Sequence, residues 1–294
     1  MKTFLLCLGA HKAGTTWLHR ELSRQSFSDF GALKEYHVFD ARQDENQGPN
    51  FFRRTLVERA GRLLKKHGDT LDPSANPNVW MKMAFQAKPE LYYSYLDGRL
   101  NLNSQACLTG DFTPNYSSLS TETMSVIRTE LVRRGFSVRV LFLMRDPVER
   151  CWSMERSRPS RAEEDPSDHL VRESWERALL MNFASKSMEK RTQYDRIVAR
   201  MRRAFSPQEI RCELHETLFR QHSIDRLCHW LGVPRFQARV STKVNKSAKG
   251  DQLSDATVKA ITTHYSPAYR IAREIFGAEV IAEHWPSSHW VPET

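Results

Sequence analysis

The chain has 294 residues, of which 40% are hydrophobic and 27% are charged. This length and balance are typical of a folded protein with a full core, and they exclude a chain that is disordered throughout. The net charge of +9 predicts an anionic partner, and a nucleotide, a nucleic acid, an acidic polysaccharide and a membrane surface all satisfy it.

The five cysteines are odd in number and include no C-x-x-C pair. This pattern argues against a disulfide framework and a thiolate zinc site, so we expect reduced thiols in a cytoplasmic protein that needs no metal. The apolar run from Phe4 to Leu8 is short for a signal peptide and is followed at once by Gly9, which predicts a buried strand. No apolar run approaches the roughly 18 residues of a membrane span.

Short apolar runs that each lead into a turn or a helix signal predict the strands of a parallel sheet. These runs are Phe4–Leu8, Val138–Met144 and Ile210–Leu214. Between them, apolar residues at helical spacing predict amphipathic helices around Phe52–Leu64 and Tyr194–Phe205. The pattern predicts one α/β domain, residues 1–294, with a central and mostly parallel sheet flanked by helices.

The first predicted strand leads into a glycine-containing turn and then a helix. Its sequence is Gly9-Ala10-His11-Lys12-Ala13-Gly14-Thr15-Thr16-Trp17-Leu18. Such a turn is an anion cradle, because unpaired backbone N–H groups and the positive end of the helix dipole point at one spot. Gly14 lets the backbone approach a phosphate closely. Thr15 and Thr16 add hydroxyl donors, and Lys12 adds a mobile positive charge.

The turn departs from the triphosphate-binding loop G-x-x-x-x-G-K-[ST] in one informative way. Gly9 and Gly14 have the required spacing, but Thr15 stands where that loop has its Lys. Lys12 instead precedes the second glycine by two residues. This arrangement favours a ligand with one phosphate that carries one leaving group over a triphosphate ligand with magnesium. A kinase-like site and a purely structural turn are the alternatives.

The segment from Lys12 to Leu18 resembles the loop K-x-G-T-T-x-L of sulfotransferases that use 3′-phosphoadenosine 5′-phosphosulfate (PAPS). The resemblance implies a P-loop NTPase-like sulfotransferase fold, PAPS as the donor co-substrate and adenosine 3′,5′-bisphosphate (PAP) as the product. The residues that it assigns to the 5′-phosphosulfate are Lys12, Ala13, Gly14, Thr15, Thr16 and Trp17.

A second anion-binding pattern follows the second predicted strand. Asp146 is a good N-cap with Pro147 at the first helical position. Arg145 can donate two N–H groups to a phosphate, and Ser153 can add a hydroxyl. Taken alone, these residues also fit a solvated arginine and a helix-surface serine. The stretch resembles the sulfotransferase 3′-phosphate motif R-[DN]-P-x-x-R-x-x-S, which implies that Arg145 and Ser153 bind the 3′-phosphate while Arg150 supports the structure.

A third basic segment lies near the carboxyl terminus, at Lys243–Gly250. The resemblance implies a loop that closes over the nucleotide, with Lys246, Lys249 and Gly250 as donor-binding residues, and a solvated loop is the alternative. The stretch Leu253–Gly277 resembles the final helices of the same family.

Sulfonate transfer needs a base for the acceptor proton and a cation at the leaving oxygen. Lys12 is the expected cation. Glu35 lies in a segment, Lys34–Asp40, that resembles the K-E-x-H-[FV]-F-D segment of heparan-sulfate-type sulfotransferases, where the Glu is the base. The resemblance implies Glu35 as the base, His37 as an acceptor-orienting group and alternative base, and Asp40 as an acceptor contact. Without the resemblance, we would interpret Glu35 as a surface carboxylate paired with Lys34.

The segment Gly110–Tyr116 is similar to the E-K-T-P-x-Y segment of the same group. Asp111 matches as an acid and Thr113 matches directly, so we expect both to contact the acceptor. Phe112 departs from the Lys that the family often has there, which argues against assuming a heparan-like substrate.

The remaining patterns predict no further site. His215, His222 and His229 recur at intervals of seven residues without a carboxylate at ligand spacing, so we interpret them as surface or partly buried imidazoles. No nucleic-acid-binding motif is present. We therefore predict a PAPS-dependent sulfotransferase whose partner is a small-molecule or carbohydrate acceptor. A P-loop kinase-like phosphotransferase on a small hydroxyl compound and a non-catalytic nucleotide-binding module are the alternatives.

Overall fold

The computed structural model describes residues 2–41, 61, 76–161, 163–165, 168–240 and 253–291. In this part of the chain, four parallel strands form one sheet in the order β2-β1-β3-β4. The strands are β1 (Lys2–Gly9), β2 (Leu108–Asp111), β3 (Phe136–Met144) and β4 (Ile210–Leu214). The predicted α/β fold with a central parallel sheet is confirmed.

Helices flank this sheet and fill the connections between its strands. In chain order they are α1 (Thr15–Ser23), α2 (Pro77–Ala87), α3 (Pro89–Leu102), α4 (Thr121–Arg133), α5 (Pro147–Arg156), α6 (His169–Asn182), α7 (Lys186–Thr192), α8 (Tyr194–Ala204), α9 (His215–Leu218), α10 (Gln221–Leu231), α11 (Asp255–His264), α12 (Ser266–Phe276) and α13 (Ala278–His284). Short 3₁₀ turns lie at Pro114–Ser118, Pro159–Arg161, Pro207–Glu209 and Pro286–Trp290. None of the helices in the described ranges is long and apolar enough to cross a membrane.

The central strand β1 is buried along nearly its whole length, because it pairs with β2 on one side and β3 on the other. Leu5, Leu6 and Leu8 are fully buried, and each contributes roughly 1.5–3 kcal/mol by leaving water. The continuous apolar run is typical of a parallel strand covered on both faces. The three predicted strands are all present.

Strand β2 was absent from the sequence-based expectation. It has four residues, and Leu108 is its one large apolar side chain. Gly110 is required here, since a Cβ at this position would lie 2.0 Å from the carbonyl oxygen of Leu5. The strand is defined by close backbone pairing rather than by apolar periodicity.

Helix α8 has the predicted amphipathic pattern, and its buried residues are Tyr194, Ile197, Val198, Met201 and Ala204. The predicted helix at Phe52–Leu64 falls on residues that the structure does not describe, apart from the isolated position 61.

The carboxyl ends of parallel strands meet at one edge of a sheet, where open α/β folds bind ligands. The segments that follow β1, β2, β3 and β4 therefore share one edge. A backbone hydrogen bond of 2.8 Å from Ala10 to Leu143 joins the segment after β1 to the end of β3. The predicted site residues that the structure describes all lie on these segments or on the neighbouring stretch 33–41.

Candidate active site

The turn after β1 has the backbone geometry of an anion cradle. Gly14 has φ 95° and is the N-cap of α1, without a side-chain cap. The first N–H groups of α1 therefore have no intrahelical partner. A Cβ at Gly14 would lie 2.9 Å from Leu218 Cδ2 and 3.3 Å from His215 Nδ1, so glycine is required by both conformation and space.

Side chains of this turn differ in their access to solvent. Ala13 and Thr15 are buried under the turn, whereas Lys12 and Thr16 are exposed at its mouth. Lys12 also has a positive φ of 66°. Partial burial of its ammonium group, followed by the positive charge of Arg145, lowers the pKa of Lys12. The Lys12 ammonium and the Arg145 guanidinium are therefore within electrostatic reach of each other.

Arg145 joins the two segments that the sequence predicts to bind anions. It follows β3 directly, and its Nη1 donates a 3.0 Å hydrogen bond to the backbone carbonyl of Lys12. Its Nη2 donates to Glu149 Oε2 at 3.2 Å, and its own carbonyl accepts from the Tyr194 hydroxyl at 2.8 Å. With its side chain only 9% exposed, the guanidinium is fixed against the turn after β1.

Helix α5 begins as the sequence predicts. The Asp146 side chain accepts a hydrogen bond of 2.9 Å from the N–H of Val148, and Pro147 occupies the first turn. Ser153 is half-buried and lies four residues after Glu149, so the two side chains share one face of the helix. Glu149 contacts Arg145, so Arg145, Glu149 and Ser153 follow one another along the same side of α5.

His215, which the sequence analysis interpreted as a surface or partly buried imidazole, is partly buried and lies beside Gly14. It starts α9 immediately after β4, and within the described residues its buried Nδ1 has no hydrogen-bond partner. The ring packs edge-on against Phe219, which also contacts Trp17 at 4.8 Å between centroids. Burial, followed by the charge of Arg145, lowers the pKa of His215 to about 4, which leaves the imidazole neutral. Its position after a parallel strand was the available signal.

A second group of charged side chains lies on the stretch 33–41. Glu35 accepts from Lys34 Nζ at 2.5 Å, and its other oxygen lies 3.3 Å from His37 Nε2. His37 Nδ1 is 2.8 Å from Asp40 Oδ2, so the imidazole bridges two carboxylates. The pair of Lys34 and Glu35 that the sequence allowed is formed, but it belongs to this larger cluster.

The pKa values in the cluster follow from its contacts. Burial alone would raise the pKa of Glu35, but hydrogen bonds from His37 and Lys34 outweigh burial and lower it to about 2. Burial alone would lower the pKa of His37, but its hydrogen bonds to Asp40 and Glu35 raise it to about 9. At neutral pH Glu35 is ionised and His37 is protonated.

Asp111 and Thr113 lie beneath this cluster and are fully buried. Asp111 accepts hydrogen bonds from the hydroxyls of Thr113 (2.6 Å), Tyr116 (2.9 Å) and Tyr92 (3.0 Å). Thr113 in turn accepts a long 3.4 Å hydrogen bond from the His37 N–H. Burial raises the pKa of Asp111 to about 6 despite these donors. The sequence analysis expected Asp111 and Thr113 to contact the acceptor. The structure corrects this expectation, because neither side chain has exposed surface and both hold the segment that carries His37.

His11 lies between the two groups of residues. Burial, followed by the positive charges of Arg191 and Arg150, lowers the pKa of His11 to about 3, and the carboxylate of Glu35 opposes these effects. Since His11 precedes Lys12, the Glu35 cluster lies within electrostatic reach of the turn after β1. Lys246, Lys249 and Gly250 fall outside the described residues.

The described elements define an α/β protein with two basic segments at the carboxyl edge of a parallel sheet. No protein-family model matches the chain, and no curated protein matches it. Among solved structures, the chain is similar to a sulfotransferase from Alicyclobacillus acidocaldarius, with 17% sequence identity and a TM-score of 0.51. That match covers 93% of this chain and 95% of the other, so the chain has the sulfotransferase fold.

Further similar structures have lower scores. A sulfotransferase domain from the curacin biosynthetic pathway has 14% identity and a TM-score of 0.45, with 86% of this chain and 83% of that domain covered. A sulfotransferase domain from the Synechococcus PCC 7002 olefin synthase has 15% identity and a TM-score of 0.44, with 90% and 89% covered.

Proposed function

We propose that this protein transfers the sulfonate group of PAPS to an acceptor hydroxyl or amine. The observation that carries the proposal is the hydrogen bond of 3.0 Å from Arg145 to the Lys12 carbonyl. This contact joins the segment suited to a 5′-phosphosulfate to the segment suited to a 3′-phosphate, which supports a single donor site. PAP is the corresponding product, and the free cysteines support a reducing, cytoplasmic location.

The donor is held mainly by the turn after β1 and the start of α1. Backbone N–H groups at Thr15, Thr16 and Trp17 hold the 5′-phosphosulfate, because the helix N-terminus leaves them unpaired. Arg145 and Ser153 hold the 3′-phosphate, with the guanidinium supplying paired donors.

The chemical step is an in-line displacement at sulfur. Glu35 accepts the proton of the acceptor hydroxyl while the acceptor oxygen bonds to sulfur and the bond from sulfur to the bridging oxygen breaks. Lys12 neutralises the negative charge that develops on this departing oxygen. The products are the sulfated acceptor, PAP and a protonated Glu35, which then releases its proton to water.

Glu35 is a better candidate than His37 for the base. A general base must be unprotonated at the working pH, and the pKa values near 2 and 9 leave only Glu35 in that form at neutrality. His37, fixed by Asp40, then orients the acceptor and balances the charge of the two carboxylates.

The kinase-like alternative needs a carboxylate after a strand that is available for magnesium. The acids in such positions among the described residues are Asp111, Asp146 and Glu216. Asp111 and Asp146 are buried and accept hydrogen bonds from hydroxyl groups, and Glu216 accepts hydrogen bonds from Trp285 Nε1 and from the N–H of Asp146. Thr15 also stands where a kinase loop has its lysine. These features favour sulfonate transfer over phosphoryl transfer.

Thermal shift measurements with PAP, and separately with ATP and Mg²⁺, test the donor assignment. We expect stabilisation by PAP, and stabilisation by ATP with Mg²⁺ alone would overturn it. Transfer of ³⁵S from labelled PAPS onto an acceptor library then tests turnover. A protein that binds PAP, transfers no sulfonate and is unaffected by Glu35→Ala would be a nucleotide-binding module instead.

A further inference from the structure

Two acids next to the backbone of Arg145 have no part in the proposed mechanism. Asp146 follows Arg145 in the chain and is 1% exposed, and Glu216 lies in the first turn of α9. Glu216 Oε1 accepts a hydrogen bond of 3.2 Å from the N–H of Asp146. Among the described residues, the groups that donate hydrogen bonds to these two acids are all neutral. Both acids therefore depend on neutral donors rather than on a paired cation in this part of the chain.

The peptide bond between Arg145 and Asp146 is held at both of its polar atoms. Its N–H donates to Glu216, and its carbonyl oxygen accepts from the Tyr194 hydroxyl at 2.8 Å. Tyr194 is fully buried, and its ring lies 6.3 Å from the ring of Trp285, measured between centroids. The backbone at Arg145 cannot turn without breaking one of these hydrogen bonds, so the direction in which its side chain leaves the backbone is fixed.

The other side-chain donors come from the carboxyl-terminal part of the chain. The Tyr269 hydroxyl, on α12, donates to Asp146 Oδ1 at 2.8 Å, and Ser287 Oγ donates to Asp146 Oδ2 at 2.5 Å. Trp285 Nε1 donates to Glu216 Oε2 at 3.0 Å. Tyr269 and Ser287 lie 123 and 141 residues after Asp146. The segment that begins with Arg145 is therefore completed by residues that are distant in the sequence.

The three carboxyl-terminal donors also contact one another. The Tyr269 hydroxyl and Ser287 Oγ are 2.7 Å apart, and the Tyr269 ring packs edge-on against Trp285 at 5.5 Å between centroids. Tyr269 and Trp285 are fully buried, and Ser287 is 7% exposed. Buried polar side chains that are paired in this way form a connected network, so the loss of one hydroxyl group is felt at Asp146.

The two hydroxyl groups also favour the ionised form of Asp146. Burial raises the pKa of Asp146, and the hydrogen bonds from Ser287 and Tyr269 oppose this rise. Asp146 Oδ1 accepts from the N–H of Val148 at 2.9 Å and thereby caps α5. A carboxylate is a stronger acceptor at a helix N-terminus than a protonated carboxyl group. Removing either hydroxyl therefore weakens the start of α5, which Arg145 directly precedes.

We propose that Tyr269, Ser287 and Trp285 are positioning residues for the 3′-phosphate of the donor. They act through the two acids, which fix the peptide bond after Arg145 and thereby the direction of its side chain. This inference rests on the proposed function, because it takes Arg145 as the group that binds the 3′-phosphate. It adds the carboxyl-terminal segment 269–287 to the parts of the chain on which donor affinity depends.

The contribution of the 3′-phosphate is measured by comparing PAP with adenosine 5′-monophosphate (AMP), which lacks that phosphate. Titration calorimetry on the whole protein gives both dissociation constants, and their ratio is the preference for PAP. We expect Ser287→Ala and Tyr269→Phe each to lower this preference by about 3–10-fold, because each removes a hydrogen bond to a charged group. The affinity for AMP should change little. The two substitutions are independent, so failure of one variant to fold leaves the other as the test.

Arg145→Gln is the reference for loss of the preference, and Ser288→Ala is the matched control. Ser288 adjoins Ser287 and is 3% exposed, but its hydroxyl contacts neither acid within the described residues, so its replacement should keep the wild-type preference.

A preference that is unchanged in Ser287→Ala and Tyr269→Phe but lost in Arg145→Gln would overturn the inference and leave the proposed function standing. An equal fall in affinity for PAP and AMP would also overturn it, because a purely structural role weakens both ligands alike. Wild-type protein that binds PAP no more tightly than AMP, or binds neither, would instead refute the proposed donor site and the proposed function with it.

Discussion

The donor and acceptor ends of the candidate site are built in different ways. At the proposed donor end, a short sequence around Gly14 determines a turn that starts α1 with unpaired backbone N–H groups. At the proposed acceptor end, the stretch 33–41 supplies Glu35, His37 and Asp40, and distant parts of the chain supply Asn115 and the cations of α7 around Asp40. The turn is therefore encoded locally, whereas the surroundings of Asp40 depend on the tertiary fold.

This difference explains what the sequence could predict. The positions of Lys12, Gly14 and Arg145 after their strands could be predicted, because both the strand-turn-helix pattern and the family resemblance depend on the spacing of these residues. The place of His215 beside Gly14 was not predicted, because it depends on the packing of β4 beside β3, more than 60 residues earlier in the chain. The place of Arg191 was not predicted either, because only the fold brings α7 next to Asn115.

The fold shows the same division. Strands β1, β3 and β4 were predicted from apolar runs, whereas β2 was not, since its pairing depends on the absence of a side chain at Gly110. Asp111 and Thr113 were assigned to the acceptor because their residue types matched a motif. Asp111 can be buried because hydroxyl groups donate hydrogen bonds to it. One of these hydroxyls belongs to Tyr92, which lies on helix α3 and is distant in the sequence.

The largest effect is expected at the acceptor end. Glu35→Gln should reduce sulfonate transfer by roughly 10²–10⁴-fold, since the variant cannot accept the acceptor proton. Initial rates with labelled PAPS between pH 5 and pH 10 measure this effect. Because the pKa of Glu35 is about 2, the wild-type rate should show no loss of activity from this group at the acid end of that range.

His37 as the base predicts a different profile. In that case the rate would rise with pH toward about 9, where His37 loses its proton, and Glu35→Gln would retain most of the activity. This result would transfer the catalytic role from Glu35 to His37.

At the donor end, Lys12→Ala should lower turnover by roughly 10²–10³-fold, because the charge on the leaving oxygen loses its cation. PAP affinity should fall much less, since the backbone N–H groups of the turn remain. Single-turnover rates and PAP titration separate the two quantities, and Lys259→Ala on α11 is the control. Wild-type turnover in Lys12→Ala would remove this residue from the mechanism.

The backbone of the donor end can be tested through stability. Gly14→Ala should destabilise the protein by about 1–3 kcal/mol, because alanine is strained at φ 95° and its Cβ would meet Leu218. Gly98→Ala, in the interior of α3 with open space around it, should instead stabilise by about 0.5–1 kcal/mol. Urea denaturation measures both, and equal effects would contradict the special geometry of Gly14.

The smallest effect concerns the charge of His37. Its pKa is raised from the ordinary value of 6.5 to about 9 in the folded protein, so its contribution to stability is complete below pH 6.5 and is lost as pH rises through 9. Because the side chain is 27% exposed, we expect a loss of only about 1–2 kcal/mol. Denaturation at pH 6 and pH 10 measures this loss. The loss should persist in the control variant His169→Gln, at the start of α6, and should be absent from His37→Gln.

The anchoring of the His37 segment has a consequence for how specificity can evolve. Thr113 and Tyr116 hold the backbone of His37 and Val38 from below, and both hydroxyls donate to Asp111. None of these four hydrogen bonds involves α7, which contacts the same turn through Arg191 and Asn115. Substitutions at positions outside these hydrogen bonds can therefore change the surroundings of Glu35 and His37 while the backbone that carries these two residues stays in place.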